Sequence, residues 1–197
     1  MNLKKSLLLI IIILLIDQIS KVYIKTHFLL GESYEIFDWF KIYFIENPGM
    51  AWGTDRTGKV ALTLFRIIAI IGIGYWLYTA TKNKSSRVLI LAISLIFAGA
   101  LGNIIDSTFY GLLFNDSYHQ IATFLPETGG YGPLLEGKVV DLLYFPLWKG
   151  YLPEWLPFFG GKYFTFFEPV FNVADVAIST GFIMLIVFNK KAFPKNE

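Results

Sequence analysis

The sequence predicts an all-α polytopic membrane protein: four transmembrane helices with a small extracytoplasmic β-element and a long outer loop. Three observations predict it. Hydrophobic residues make up 55% of the 197 residues and mean hydropathy is +0.55, above the apolar share of ordinary soluble domains. The excess falls in four windows, about residues 3–24, 60–81, 88–105 and 170–188, each near the ~20 apolar residues that crossing a bilayer takes. Finally, basic residues gather in the two termini and in the connection between the second and third windows: Lys4 and Lys5, then Lys82, Lys84 and Arg87, then Lys190, Lys191 and Lys195. With four spans those segments share one face, which the positive-inside rule makes cytoplasmic. Residues 1–197 are read as one integral membrane domain.

The first window begins like a secretory signal peptide, with Lys4 and Lys5 ahead of an apolar run over 7–16. No small-x-small cleavage site follows, and apolar periodicity continues through Ile19, Val22 and Ile24, so a retained helix is expected. The outer segment 25–59 contains "YEIFDWFKIYFIE", rich in aromatic and β-branched residues, which favours one or two short strands at the membrane surface. "NPGMAWG", residues 47–53, follows as a turn or conformationally special loop. The second outer segment, 106–169, is far longer than typical connections. Its abundant Phe, Tyr, Trp and Leu argue against disorder and for packing on the helices or dipping into the headgroup layer. Within it "GKVVDLLYFP" is a short strand-like run around Asp141.

Composition also excludes chemistry. There is no cysteine, hence no disulfide, thiol nucleophile or thiolate metal site. His27 and His119 are the only imidazoles, and there is no HExxH, GxSxG, Walker loop or GxGxxG. No metal, no cofactor and no nucleic-acid partner is expected; the lysines are explained as topology signals.

Polar side chains inside the spans need a reason, since an Asp at a helix centre costs about 2.5–3.5 kcal/mol on insertion scales. Asp17 and Lys21 are four apart and able to pair. Gly99, Asn103 and Asp106 follow i, i+4, i+7 spacing, as do Asn172, Asp175 and Ser179. Arg66 stands about two turns into the second span. All lie in the outer halves of their helices, which points to a single polar cavity opening outward, with Asp141 at the same level. Bland readings exist for most of them. Asp17 with Lys21 reads as a structural ion pair, Asn103 as an interhelical hydrogen-bonding residue, Asp106 as solvated near a helix end, and Arg66 as snorkelling to the headgroups. Asp141 and Asp175 resist such readings, because both sit in apolar sequence with no cation at helical or adjacent spacing. Two carboxylates meeting in an apolar, water-accessible pocket share a proton, so one activates water while the other donates to a carbonyl oxygen. Spacing alone leaves open whether they meet.

As a set, the motifs "DQISK" (17–21), "ENPGMAWG" (46–53), "GALGNIID" (99–106), "VVD" (139–141) and "FNVADVAIS" (171–179) resemble, in order and over nearly the whole chain, the bacterial lipoprotein signal peptidase (type II signal peptidase) family. The resemblance implies an aspartic endopeptidase of the bacterial cytoplasmic membrane, with both termini cytoplasmic and the active site near the outer face. It would remove signal peptides from diacylglyceryl-modified prolipoproteins by cutting before the lipidated cysteine. The family's dyad falls on Asp141 and Asp175, and its supporting positions on Asp17, Lys21, Asn47, Gly99, Asn103, Asp106 and Asn172. Small Gly99 is expected to leave room for a substrate backbone or acyl group. Prolipoprotein and membrane lipid are the implied partners, and a monomer is expected.

Two departures stand out. Many relatives carry arginine after "GNLID", where Ser107 stands here; Arg66 is expected to supply that cationic contact. The outer loop is also enlarged, and its added segments, 107–136 and 147–169, are expected to form a partial cover over the site. The competing reading is a proton- or cation-coupled transporter, which calls for polar residues continuous across the bilayer; a noncatalytic scaffold is a third.

Overall fold

Hydrocarbon reverses the usual arrangement of polar and apolar faces, and α1 (Leu3–His27) follows the reversed rule. Its outward surface carries Leu8, Ile11, Leu15, Ile16 and Ile19. Its buried stripe carries Ser6, Ile10, Asp17, Lys21, Ile24 and Lys25, because polar groups away from water must be satisfied inside the protein. The structure, a computed structural model, describes residues 1–49 and 56–194. Part of the expected "NPGMAWG" loop, residues 50–53, lies outside the described residues.

The remaining helices are α2 (Arg56–Lys82), α3 (Arg87–Leu113), α4 (Val173–Val187) and the single turn α5 (Asn189–Ala192). Helix α3 is central, packed against α1, α2 and α4; 56% of its apolar window is buried, against 22% for α1 and 17% for α2. Among the described residues three helices, α1, α2 and α3, are long and apolar enough to cross a membrane. The fourth expected span, 170–188, is shorter than anticipated. Asn172 caps α4 reciprocally with Asp175, and the residues before it, Val170–Phe171, form a strand. Fifteen helical residues rise about 22 Å. The third window is longer than expected: α3 continues two turns past 105, so Asp106 lies inside the helix rather than at the start of a loop.

The β-element is larger than an all-α class allows. Strands β1 (Ser33–Phe37), β2 (Phe40–Asn47), β3 (Val139–Tyr144) and β6 (Val170–Phe171) form an antiparallel sheet in the order β1-β2-β3-β6. A separate hairpin pairs β4 (Trp148–Tyr151) with β5 (Tyr163–Phe166). In the β2–β3 register Ile45 faces Asp141, Glu46 faces Val140 and Asn47 faces Val139. Side chains alternate between faces, so Asn47, Val139 and Asp141 share one side, and Glu46 and Val140 the other.

Two apolar cores result. One, at the end bearing the basic segments, is built on Ile10, Leu77, Leu89, Ile90 and Ile93. The other, under the sheet, gathers Ile24, Phe44, Tyr110, Phe114, Val140 and Leu142. The polar residues of the spans lie between them. At the basic end Lys5, Lys82, Lys84 and Arg87 line a shared depression, and Ser86 Oγ donates to Ala192 O at 3.0 Å. The N-terminus, the α2–α3 connection and the C-terminal turn therefore meet at one end.

The expected role of Gly99 is corrected here. A Cβ at Gly99 would stand 2.1 Å from Ala174 O and 2.7 Å from Ile178 Cγ1, and one at Gly102 2.7 Å from Asp17 Oδ2. Their smallness lets α3 approach α4 and α1 closely, as small residues do between membrane helices, rather than leaving room for substrate. Gly99→Ala is therefore expected to destabilise the fold by about 1–3 kcal/mol through overpacking, read as a lowered midpoint of unfolding in detergent.

Candidate active site

The polar layer is organised around Lys21. Its ammonium donates to Asp17 Oδ2 at 2.9 Å, Asp106 Oδ2 at 2.8 Å and Asn103 Oδ1 at 2.9 Å, which satisfies all three of its protons. Each carboxylate in turn holds a second element. Asp17 Oδ1 accepts from Ala174 N at 2.9 Å, a first-turn amide of α4 that has no partner within the helix. Asp106 accepts from Val140 N in β3 at 3.3 Å and from Gln18 Nε2 at 2.9 Å. Asp106 is fully buried, which corrects the reading of a solvated residue near a helix end.

The elements held this way carry the two remaining carboxylates. Asp141 on β3 and Asp175 in the first turn of α4 line one cavity of about 310 Å³, together with Asn47, Arg66 and Asn103. Two asparagines orient them. Asn172 Nδ2 donates to Asp141 Oδ1 at 2.7 Å, and Asn103 Nδ2 to Asp175 Oδ1 at 2.8 Å. The asparagines also meet each other, Asn172 Nδ2 donating to Asn103 Oδ1 at 3.2 Å. The second oxygen of Asp175 accepts from Asn172 N at 3.3 Å. Neither Asp141 nor Asp175 is ion-paired with a described residue.

Burial and the nearby charge of Asp175 push the Asp141 carboxyl up from 3.8 to about 7, against the opposing pull of the Asn172 hydrogen bond and the Lys21 charge. Burial penalises the charged form, and a like charge adds to the penalty. The other expected contributors are found at the same place. Arg66 lines the cavity rather than snorkelling to the headgroups. It donates to Ser107 Oγ at 3.4 Å, lies beside Gly49 and interacts electrostatically with Asp175.

The expected cover is not observed as anticipated. Residues 107–113 complete α3. Residues 114–138 fold back on its last turns, with Gly132 N donating to Gly111 O and Gly137 N to Ser107 O. No described residue of 107–136 or 147–169 lines the cavity. Of the described residues in those segments, Phe167 lines a groove on α4 that Asp175 also lines.

Sequence reasoning missed a second buried polar cluster, on the opposite face of the sheet. Glu46 is paired with Lys25 and, at 2.8 Å, with Lys138, and accepts from Ser117 Oγ at 2.7 Å. Burial would raise the Glu46 carboxyl, but the charge of Lys25 and the bonds from Lys138 and Ser117 outweigh it and hold it low. Lys25 continues the Asp17, Lys21 stripe by one more turn, a signal that was available. Ser117 and Lys138 gave none. Gln18, which also accepts from Tyr110 Oη at 3.2 Å, was missed as well.

The profile of the family described as Signal peptidase (SPase) II matches residues 9–190. The chain belongs to the signal peptidase II family. It is similar to a lipoprotein signal peptidase of Porphyromonas gingivalis, 49% identical over 183 residues, spanning 91% of this chain and 80% of that protein. A lipoprotein signal peptidase of Amoebophilus asiaticus is 40% identical over 184 residues, 90% of this chain and 73% of that one. A solved structure described as a bacterial membrane enzyme, 26% identical, superposes with a TM-score of 0.66 over 97% of this chain and 96% of its own. Membership in this family and three long apolar helices make the protein a multi-pass membrane peptidase.

Two expectations follow from the geometry. Lys21→Met leaves Asp17 and Asp106 as uncompensated buried charges and should destabilise the protein by about 3–5 kcal/mol; Asp17→Asn in the same chain should recover part of that loss, measured by unfolding in detergent. For Asp141 the folded pKa lies above the unfolded one, so the folded state holds the extra proton. Its contribution to stability is present below about pH 4 and is lost as pH rises through about 7. Asp141→Asn should flatten that slope.

Proposed function

We propose that this signal peptidase II family member is an aspartic endopeptidase that releases signal peptides from diacylglyceryl-modified prolipoproteins, cutting before the lipidated cysteine. The observation that carries this reading is the convergence of Asp141 and Asp175 on one cavity, each oriented by an asparagine and neither ion-paired with a described cation. A shared proton gives the pair both roles. The ionised carboxylate takes a proton from water, the water oxygen attacks the scissile carbonyl carbon, and the protonated carboxyl donates to the carbonyl oxygen. Collapse of the tetrahedral intermediate breaks the C–N bond; the departing amine takes the proton from the carboxyl that received it from water, and a hydroxyl proton of the intermediate returns to the carboxylate that had donated to the carbonyl oxygen, which restores the singly protonated pair. The raised affinity of Asp141 for its proton makes it the acid in the resting pair.

Supporting roles follow from the contacts. Asn103 and Asn172 orient the carboxylates without adding charge. Asn47, whose side chain hydrogen-bonds Asp141, and Arg66 offer donors to the substrate backbone; Ser107 stands where many relatives carry arginine, and Arg66, beside Ser107, supplies that cationic contact from α2. Asp17, Lys21 and Asp106 are positioning residues that hold β3 and α4 in place. Gly99 acts by close helix packing.

We read α4, continued by α5, as a fourth span, the basic end with both termini as cytoplasmic, and the cavity as facing the outer leaflet of the bacterial cytoplasmic membrane, in a monomeric enzyme. Support comes from the three basic segments meeting at one end and the positive-inside rule. A transporter would call for polar groups through both halves of the bilayer. The core at the basic end, built on Ile10, Leu77, Ile90 and Ile93, argues against that.

The test is cleavage of a diacylated prolipoprotein by purified protein. Asp141→Asn and Asp175→Asn should each lower signal-peptide release by at least about a thousandfold while leaving the protein folded, and chelators should have no effect. For the wild type, kcat/KM should fall as pH rises above about 7, where Asp141 loses its proton. Retained activity in either variant would end the aspartic reading.

A further inference from the structure

Among the described strands β4 and β5 pair with each other alone, and three of the four residues in each are exposed. Tyr151, Trp155 and Phe158 are 74%, 78% and 90% exposed, and Phe159, Tyr163 and Phe166 are more than half exposed. The rings contact mainly one another, as Trp148 does Phe164 and Tyr151 does Tyr163. An isolated two-stranded hairpin is marginal at best in water, and a surface this apolar marks an interaction site. Among the described residues nothing covers it.

Two observations select the occupant. The first is continuity. At the hairpin base Phe167 packs edge-on against Phe171, 5.9 Å between ring centroids. Both line the groove of about 320 Å³ along the outward face of α4, with Val176, Thr180 and Ile183. That face carries exposed Phe182, Ile183 and Ile186, so the aromatic surface of the hairpin runs directly into apolar helix surface. The second is charge. Lys149 and Lys162 balance Glu154 and Glu168, leaving nothing to steer a charged partner. The two ammonium groups sit over the Tyr144 and Phe159 rings at 5.4 and 5.6 Å. Tryptophan, tyrosine and lysine stems of this kind are favoured where one end is apolar and the other wet, at the headgroup level of a bilayer.

We propose that the hairpin lies in the lipid headgroup and upper acyl region of the leaflet facing the active-site end, as a membrane-embedded paddle beside α4. This goes beyond the peptidase reading and rests only on the chain being an integral membrane protein. Because β6 and Asn172 follow the hairpin directly, an embedded paddle ties the start of α4, and with it Asp175, to a set depth.

The test uses Trp155 as a reporter. A chain with Trp39, Trp52, Trp76 and Trp148 each replaced by Phe is reconstituted in vesicles of phosphatidylcholine and phosphatidylglycerol. The expected result is emission blue-shifted from that of a water-exposed indole. Lipids brominated near the ester should quench it more strongly than lipids brominated near the chain end, and aqueous iodide only weakly. Iodide quenching like that of free tryptophan would overturn the proposal, and so would protection from both iodide and bromolipid, which signifies cover by protein. Because the chain has no cysteine, a nitroxide on Phe158→Cys gives a second measurement with all tryptophans in place. Greater accessibility to oxygen than to an aqueous nickel chelate is expected, and the reverse order overturns the inference. Cleavage by both variants is assayed in parallel, so a failed lipid contact is distinguishable from a failed peptidase.

Discussion

One buried ammonium group sets the geometry of this protein. Lys21 binds Asp17 and Asp106, Asp17 takes up a free amide at the start of α4, and Asp106 takes up an amide of β3. The two elements carrying Asp175 and Asp141 are thus fastened to the same lysine. Buried ion pairs are poor sources of net stability, because desolvation offsets their attraction. Their contribution here is position: a strand and a helix from distant parts of the chain are registered to one point.

The fastening shapes the electrostatics of the cavity. Lys21 is fully engaged by its three acceptors, so Asp141 and Asp175 are oriented by neutral asparagines. Burial and the charge of Asp175 push the Asp141 carboxyl up to about 7, as the proposed proton-sharing pair requires. Period-two alternation in β2 and β3 keeps this site apart from the Glu46 cluster: Asn47 and Asp141 face the cavity while Glu46 turns to Lys25 and Lys138. The second cluster gives the long segment 114–138 its polar anchor, with Ser117 and Lys138 both bound to Glu46.

Legibility differed by element for physical reasons. Asp17 with Lys21 was readable because a helix brings residues four apart together. Asp141 and Asp175 stood out because a carboxylate without a neighbouring cation is hard to justify in apolar sequence. The bonds from Val140 N to Asp106 and from Ala174 N to Asp17 were not readable, since backbone donors leave no mark in side-chain identity. The end of α3 was not readable because Asp106, Ser107 and Thr108 interrupt the apolar run, whereas in the fold the helix continues and the segment after it hydrogen-bonds back to Ser107 and Gly111. Gly99 looked like space for a ligand because a sequence does not reveal which neighbour occupies the room a missing side chain leaves.

Residue order alone determined that the chain belongs in a membrane, that its basic segments share a face, and that acidic groups sit at one depth, because these follow from local periodicity and the solvation of single side chains. Tertiary structure decided which groups meet. It brought β3 beside α4, placed Arg66 against Ser107, turned a presumed cover into a buttress of α3 and left an aromatic hairpin uncovered. Those outcomes depend on contacts between segments many residues apart, where packing and the pairing of buried polar atoms choose among arrangements that the local sequence permits equally.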